Sequence, residues 1–441
     1  MPDTSSVRLV FRVSGRDESV NVRSQFVAPP YVASMQLIES YEEIDEVLRS
    51  SDFIQGSHIE SGVFLDGSLI KIEGEEHMAR RQLFSALVSR AAMHHYENGA
   101  LIPVIAKVMG EIRAAGPGPD GVYRLDLQPL LLTMLHRITA LVTGVDDVDT
   151  RERTERFRAL VVKLTEAVTA EWSTRDHNEV VAEGLETRRQ LVDEFLLPSL
   201  ERRRELALQY KEGKLARESL PTDLLMLLCL HGDDARPDDD TYVWREASLF
   251  LVASIHTTAQ ALPHVMVHLT EWFKQHPEDY AKRLDSSFLR QAAMESLRLH
   301  QPVPTLLRIA ASDTELSTGR KVKKGERVAL FFVPANRDEN LFGEDANEFN
   351  PYRKGKPRLS PWGLTFGGGV HTCIGRPLVT GLFSRPDDRT GTEGTMIRML
   401  HTLFEAGAEM DPGNPPTRTA ISYADAYATF PLILRNLRQS A

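Results

Sequence analysis

Cys373 stands in Phe366-Gly-Gly-Gly-Val-His-Thr-Cys-Ile-Gly375, a run whose residue types suit the delivery of one thiolate to a metal. Phe366 offers an aromatic wall, and Gly367, Gly368 and Gly369 let the backbone turn sharply and approach a flat ligand closely. His371 can donate a hydrogen bond to an anionic group on that ligand. Cys373 precedes an apolar stretch, Ile374 to Phe383, that reads as a helix. The free N–H groups and positive dipole end of a helix start both lower a thiol pKa. One cysteine cannot close a structural zinc site, which takes four ligands. A single axial thiolate is what haem iron needs when oxygen is to be split.

The loop resembles the haem-binding signature of the cytochrome P-450 family, Phe-x-x-Gly-x-His/Arg-x-Cys-x-Gly, at Phe366, Gly369, His371, Cys373 and Gly375. The resemblance implies haem b (iron protoporphyrin IX), with Cys373 as the axial iron ligand. Glu295 and Arg298 share one face of a helical segment, Phe288 to Leu299, by their i,i+3 spacing. They resemble the family's Glu-x-x-Arg motif, which implies a third member, Arg353, in a buried ion network behind the haem loop. His77 and Arg81, four apart on a helix, resemble the family's His-x-x-x-Arg beside a haem propionate. Arg308 matches a further propionate arginine, and His371 makes a fourth donor. Many bacterial members place a histidine three residues before the loop phenylalanine; here that position is Gly363.

Ser248-Leu-Phe-Leu-Val-Ala-Ser-Ile-His-Thr-Thr-Ala259 resembles the family's long helix above the haem, where the pattern is Ala/Gly-Gly-x-Asp/Glu-Thr-Thr/Ser. Ala253 keeps the small position, Ser254 replaces the glycine, His256 stands where the acid does, and Thr257 keeps the alcohol. Splitting dioxygen needs two protons delivered to its outer atom. The resemblance gives Thr257 that task, and His256, a group that titrates near neutral pH, is expected to serve as its relay. An Ile-His-Thr-Thr helix also looks like that of some terpenoid-oxidising members.

These residues need elements to hold them. Val7, Leu9, Phe11 and Val13 alternate like a strand, as does Tyr31 to Leu37. Ser40 with Glu43 fits a capping box ahead of an apolar stripe at Ile44, Val47 and Leu48. Gly56 to Gly74 reads as a mobile loop, Glu75 to Val88 as a helix, and Leu101 to Leu299 as mostly helical. Pro263 should bend the helix that carries Thr257. Pro302 and Pro304 end the helical region, and short strands follow around Lys324-Gly325. Ser384 to Glu393 interrupts what is one helix in most members of the family. The expected fold class is mainly α (α+β), one domain over 1–441. By resemblance it is a helical triangular prism with a small strand-bearing N-terminal lobe.

The formal charge of −10 argues against nucleic acid as a partner. No apolar run near the N-terminus reaches the ~20 residues a spanning helix needs, and Met1 to Ser14 lacks signal-peptide order. A monomeric, cytoplasmic protein without membrane contact is the expectation. With Cys229 and Cys373 alone, no disulfide framework is expected, and Cys229 reads as an inert core thiol. Nothing reads as a flavin or nicotinamide domain. The resemblance therefore implies electrons from a ferredoxin and its ferredoxin reductase, docked at the basic run Arg353-Lys-Gly-Lys-Pro-Arg358, with Arg80, Arg90 and Arg376 joining. The expected activity is hydroxylation of a hydrophobic small molecule (terpenoid, steroid or aromatic) with O2. A haem-thiolate peroxygenase or isomerase and a non-catalytic haem sensor are the alternatives. Residues 56–69, 162–174, 249–257, 304–307 and 421–427 correspond to the family's pocket-lining stretches.

Overall fold

Helical periodicity dominates the chain, and one helix of 36 residues, Asp240–Gln275, forms the axis of its core. The computed structural model describes residues 32, 34–231, 240–383, 391–419 and 425–437. Along the long helix, Ala247, Leu251, Ile255, Leu262, Val265 and Leu269 are fully buried. They join one apolar cluster with Leu131 and Leu135 of the Leu127–Thr143 helix and with Leu289 and Ala292 of the Ser286–Leu299 helix. Such burial supplies most helical stability, which propensity alone does not. Pro263 lies inside the long helix without ending it. Asp285 caps the Ser286–Leu299 helix, accepting from the N–H groups of Ser287 and Phe288.

A four-stranded sheet runs in the order Gln36–Ile38, Arg327–Phe331, Thr305–Ala310, Phe53–Gln55. Its first pair is parallel and the others are antiparallel. The strand lobe is thus built jointly by N-terminal segments and by residues 305–331, not by the N-terminal third alone. The register sets Gln55 opposite Arg308, which matters for the site. A second sheet joins Tyr123–Asp126, Pro431–Leu434 and Ala408–Met410, and Thr417–Arg418 pairs with Tyr427–Thr429.

Several local expectations shift. The strand expected over 31–37 is found at Gln36–Ile38, and the one expected over Val7 to Val13 lies outside the described residues. Ser40 does precede a helix, Tyr41–Arg49, yet its side chain makes no cap bond. Glu43 is drawn instead to the Arg320 guanidinium, at 2.9 Å, a charge-assisted bond stronger than one to a neutral N–H. Residues 56–74 are anchored, not loose. Phe64, Leu65 and Leu69 are buried, and Gly56 N–H bonds to Leu307 O at 3.0 Å. The helix expected over Ile374–Phe383 shrinks to Arg376–Thr380, and helix resumes only at Gly394–Glu405. Gly381, Leu382, Phe383 and residues 391–393 of this break are described, with Leu382 bridging Thr392; 384–390 lie outside.

Among the described residues, no helix is long and apolar enough to cross a membrane.

Candidate active site

The glycine loop folds back on itself, so that the N–H of Cys373 donates to Phe366 O at 2.9 Å. Gly367 and Gly369 hold φ of +69° and +62°, the left-handed region that favours glycine. At Gly369 sterics add a second demand. A Cβ there would lie 2.0 Å from Leu48 O, because the loop is laid directly on the Tyr41–Arg49 helix.

Cys373 is accessible, but to an internal cavity that its own loop lines. The surrounding protein mass still pushes its thiol pKa up, opposed by N–H bonds from Gly375 and Arg376 and by the charges of Arg81 and Arg376. Positive charge and N–H donors therefore already face the sulfur as a thiolate requires. Cys229, by contrast, is half-buried with a thiol pushed to about 11 by burial, which suits an inert role.

One cavity brings most of the expected residues together. Cys373, Gly375, Phe366, His371, His77, Arg81 and Arg308 line it, and so do Ala253, Ser254, Thr257 and Thr258 of the long helix. Leu249, Phe250, Val303, Leu306, Phe332, Leu378 and Val379 supply apolar wall. Gly369 is not on this wall; its part is the close contact with Leu48.

The cationic end has a definite construction. His77 and Arg81 lie on the Gly74–Phe84 helix. Arg81 donates to Thr372 O, tying that helix to the residue before the thiolate. The His77 ring lies against that of His371, tilted by 37° with centroids 4.1 Å apart. His77 is buried, and neither of its ring nitrogens has a hydrogen-bond partner. Burial, with His371 and Arg81 adding to it, pushes its pKa down to about 4. Arg308 is buried on its strand and donates to Gln55 Oε1 at 2.7 Å; burial lowers its pKa to about 10, against the pull of Glu73. Buried cations and an unpartnered imidazole beside a thiol fit a flat ligand that carries carboxylates, and the apolar wall fits its ring. The donor set therefore suits haem.

Two residues of this end were not singled out by sequence. Glu73 accepts from His371 Nε2–H at 2.8 Å and from Gln55 N–H at 2.6 Å. Burial works to raise its pKa, but these bonds outweigh it and the net shift is down. Gln55 gave no signal because its partner Arg308 is 253 residues away.

The oxygen side departs from expectation. Thr257 lines the cavity, its hydroxyl donating to Ala253 O at 2.8 Å. His256 does not line it. Neighbouring helical residues point about 100° apart, and the His256 ring turns toward His136 of the Leu127–Thr143 helix, 6.4 Å between centroids. Burial pushes its pKa down to about 4, far from a group that titrates at neutral pH. In place of His256, Ser254 reaches Thr139 Oγ1 at 3.1 Å.

Behind the loop, Glu295, Arg298 and Arg353 form the ion network that the motifs imply. Arg353 Nε donates to Glu295 Oε1 at 2.8 Å. Gly363 has its own reason to be glycine. Its φ is +58°, and a Cβ would fall 2.2 Å from Asn336 Oδ1, the atom that accepts from Leu364 N–H at 2.8 Å. A histidine at 363 has no room.

The basic surface is smaller than expected. Arg353 is spent on the ion network, and Arg80 is buried against Glu246 at 3.1 Å. Arg376 lies over the Trp362 ring, 4.9 Å from its centroid. Lys354, Lys356 and Arg358 remain exposed.

A family model described as Cytochrome P450 matches residues 33–380. Linalool 8-monooxygenase of Pseudomonas putida is 33% identical over 132 residues, 30% of this chain and 30% of that protein. Cytochrome P450 734A1 of Arabidopsis thaliana is 32% identical over 207 residues, 42% of this chain and 38% of its own. The chain spans about a third of the length of these curated relatives. The solved structure of CYP154A1 from Streptomyces coelicolor A3(2) superposes with a TM-score of 0.66 at 19% identity, covering 90% of this chain and 91% of that one. At that identity the likeness speaks to the fold, which is the mainly helical one with small sheets.

Proposed function

The chain belongs to the cytochrome P450 family, and from that premise we propose that it is a haem-thiolate monooxygenase acting on a hydrophobic small molecule. The observation that carries this reading is a single cavity shared by the Cys373 thiol, four nitrogen donors and the alcohol of Thr257. Haem, the cofactor the family implies, supplies when bound the chemistry that splits O2 and places one oxygen atom in a C–H bond. The overall balance is O2, two electrons, two protons and R–H giving R–OH and water.

The residues divide the remaining work. Cys373 would hold the iron when haem is bound, and Arg81 and the N–H groups of Gly375 and Arg376 are placed to stabilise its sulfur as a thiolate. His77, Arg81, Arg308 and His371, which line the same cavity, would hold the carboxylates of the cofactor. Thr257 presents a hydroxyl whose bond to Ala253 O can be exchanged to hand a proton into the cavity. Ser254, bonded to Phe250 O at 2.6 Å and to Thr139 Oγ1 at 3.1 Å, and Thr139 itself add two more hydroxyls to the cavity wall beside Thr257. His256 has no part in this relay, since its ring faces His136 and does not line the cavity.

For substrate we propose a terpenoid-sized apolar molecule. The apolar wall supports this, as does the similarity to a protein named linalool 8-monooxygenase. For electrons we propose a ferredoxin steered by Lys354, Lys356 and Arg358.

The test is turnover of a terpenoid panel by holoprotein with NADPH, ferredoxin and ferredoxin reductase, against peroxide alone. Hydroxylated product that needs NADPH and O2 supports the proposal. Product with peroxide only, or spectral shifts without any product, would move the assignment to a peroxygenase or a sensor.

A further inference from the structure

We propose that His264, His300 and Asp425 bind one divalent transition metal, zinc being the ion that their donor set fits best. The three come from separate elements: His264 from the long helix, His300 from the end of the Ser286–Leu299 helix, and Asp425 from just before the Tyr427–Thr429 strand. One ligand atom of each lies within 4.8 Å of the others. Zinc takes imidazole nitrogen and carboxylate oxygen together, often as three protein ligands with a fourth position open.

The hydrogen bonds around these side chains point the same way. His264 Nε2 is paired with Asp425 O at 3.1 Å. That bond requires Nε2–H, so Nδ1 carries the lone pair, and Nδ1 has no partner. Metal-bound histidines are held in this manner, one nitrogen on a carbonyl and the other on the ion. Asp425 shows the same division. Arg418 holds Oδ1 at 2.7 Å, while Oδ2 makes no hydrogen bond among the described residues and lies 3.5 Å from His300 Nδ1. His264 and His300 are 3% and 6% exposed. Buried polar atoms left unpaired are costly, so a ligand that pairs several at once is favoured.

Space sets the size of the occupant. The three residues, with Gln301 and its unpaired Oε1, line a cavity of about 10 Å³, room for one ion or one water and no organic ligand. Tetrahedral zinc with ligand bonds of about 2.0–2.1 Å sets donors roughly 3.3 Å apart. The two rings now stack at 14° with centroids 4.2 Å apart, so one must turn about Cβ–Cγ for both lone pairs to converge. His268 is close to His300 but is already bonded through Nδ1 to Ser296 Oγ at 2.9 Å.

The experiment uses haem-loaded protein, dialysed against a chelator and then against zinc chloride. The expected result is one zinc per chain beside one iron, with a zinc-edge anomalous peak between His264, His300 and Asp425 in crystals. Asp425→Asn and His264→Gln should each lower bound zinc at least tenfold while leaving the haem spectrum as it was. No zinc above trace, a peak elsewhere, or full zinc in both variants would overturn the proposal; the first of these would mean that water is the occupant. Should either variant fold poorly, the anomalous map of the unaltered protein decides alone.

Discussion

Arg298 holds both carboxylate oxygens of Glu295, at 2.8 and 2.7 Å, from a position with no solvent exposure. Its remaining N–H groups reach Asn336 O and Ala346 O, so the pair fixes the chain that leads to the thiolate loop. Removing one partner of a buried pair leaves an uncompensated charge and costs about 3–5 kcal/mol. Glu295→Ala should therefore lose that much stability in denaturant unfolding and be isolated largely without haem. Holoprotein of normal yield and spectrum would contradict this role.

Gly369→Ala should also yield haem-poor protein, for a different reason. The new methyl group would meet Leu48 O at 2.0 Å in a left-handed backbone. Strain of this kind costs about 1–3 kcal/mol before the overlap is counted. The loop must lift off the Tyr41–Arg49 helix and carry Cys373 with it. The haem-to-protein absorbance ratio and the melting temperature should both fall, and values equal to those of the unaltered protein would refute the close contact.

Glu246 gives a pH signature. It is fully buried, and burial pushes its carboxyl up to about 7 from its ordinary 4.5, despite Arg80 and the Leu69 N–H at 2.9 Å. A raised carboxyl pKa means that the folded state holds the proton longer. Its contribution is full below about pH 4.5 and is lost as pH rises through about 7, a change on the order of 3 kcal/mol. Unfolding free energy measured from pH 4.5 to 8 should fall more steeply for the unaltered protein than for Glu246→Gln. Equal slopes would show that Glu246 does not titrate in that window.

Thr257 and His256 separate cleanly in turnover. Thr257→Ala should lower product formed per NADPH consumed about tenfold, with hydrogen peroxide released instead. General acid–base groups contribute on that scale or more. His256→Ala should leave this ratio within about twofold, because the ring faces His136 and not the cavity. A loss with His256→Ala equal to that with Thr257→Ala would restore the relay that the sequence pattern suggested.

What sequence made legible was local. Cys373, Gly369 and the Glu295–Arg298 pair lie in short runs whose spacing is itself the constraint, and each sits where that spacing requires. The Gln55–Arg308 and Glu73–His371 contacts join segments hundreds of residues apart, and only strand register and helix docking create them. Ser40–Glu43 had the right spacing for a capping box, but a stronger cation, Arg320, stood within reach in space. His256 occupied the expected place in its motif, and its direction was decided by packing against the Leu127–Thr143 helix. The interruption expected at Ser384 to Glu393 has its centre, 384–390, outside the described residues. Its effect on the fold is visible in the break between Arg376–Thr380 and Gly394–Glu405.

The most direct measurement is the absorption spectrum of reduced protein under carbon monoxide, for the unaltered chain and for Cys373→Ala. A strongly red-shifted Soret band, present in the first and absent in the second, is the expected result. No such band in the unaltered protein loaded with haem, or the same band in Cys373→Ala, would contradict a Cys373 thiolate on the iron.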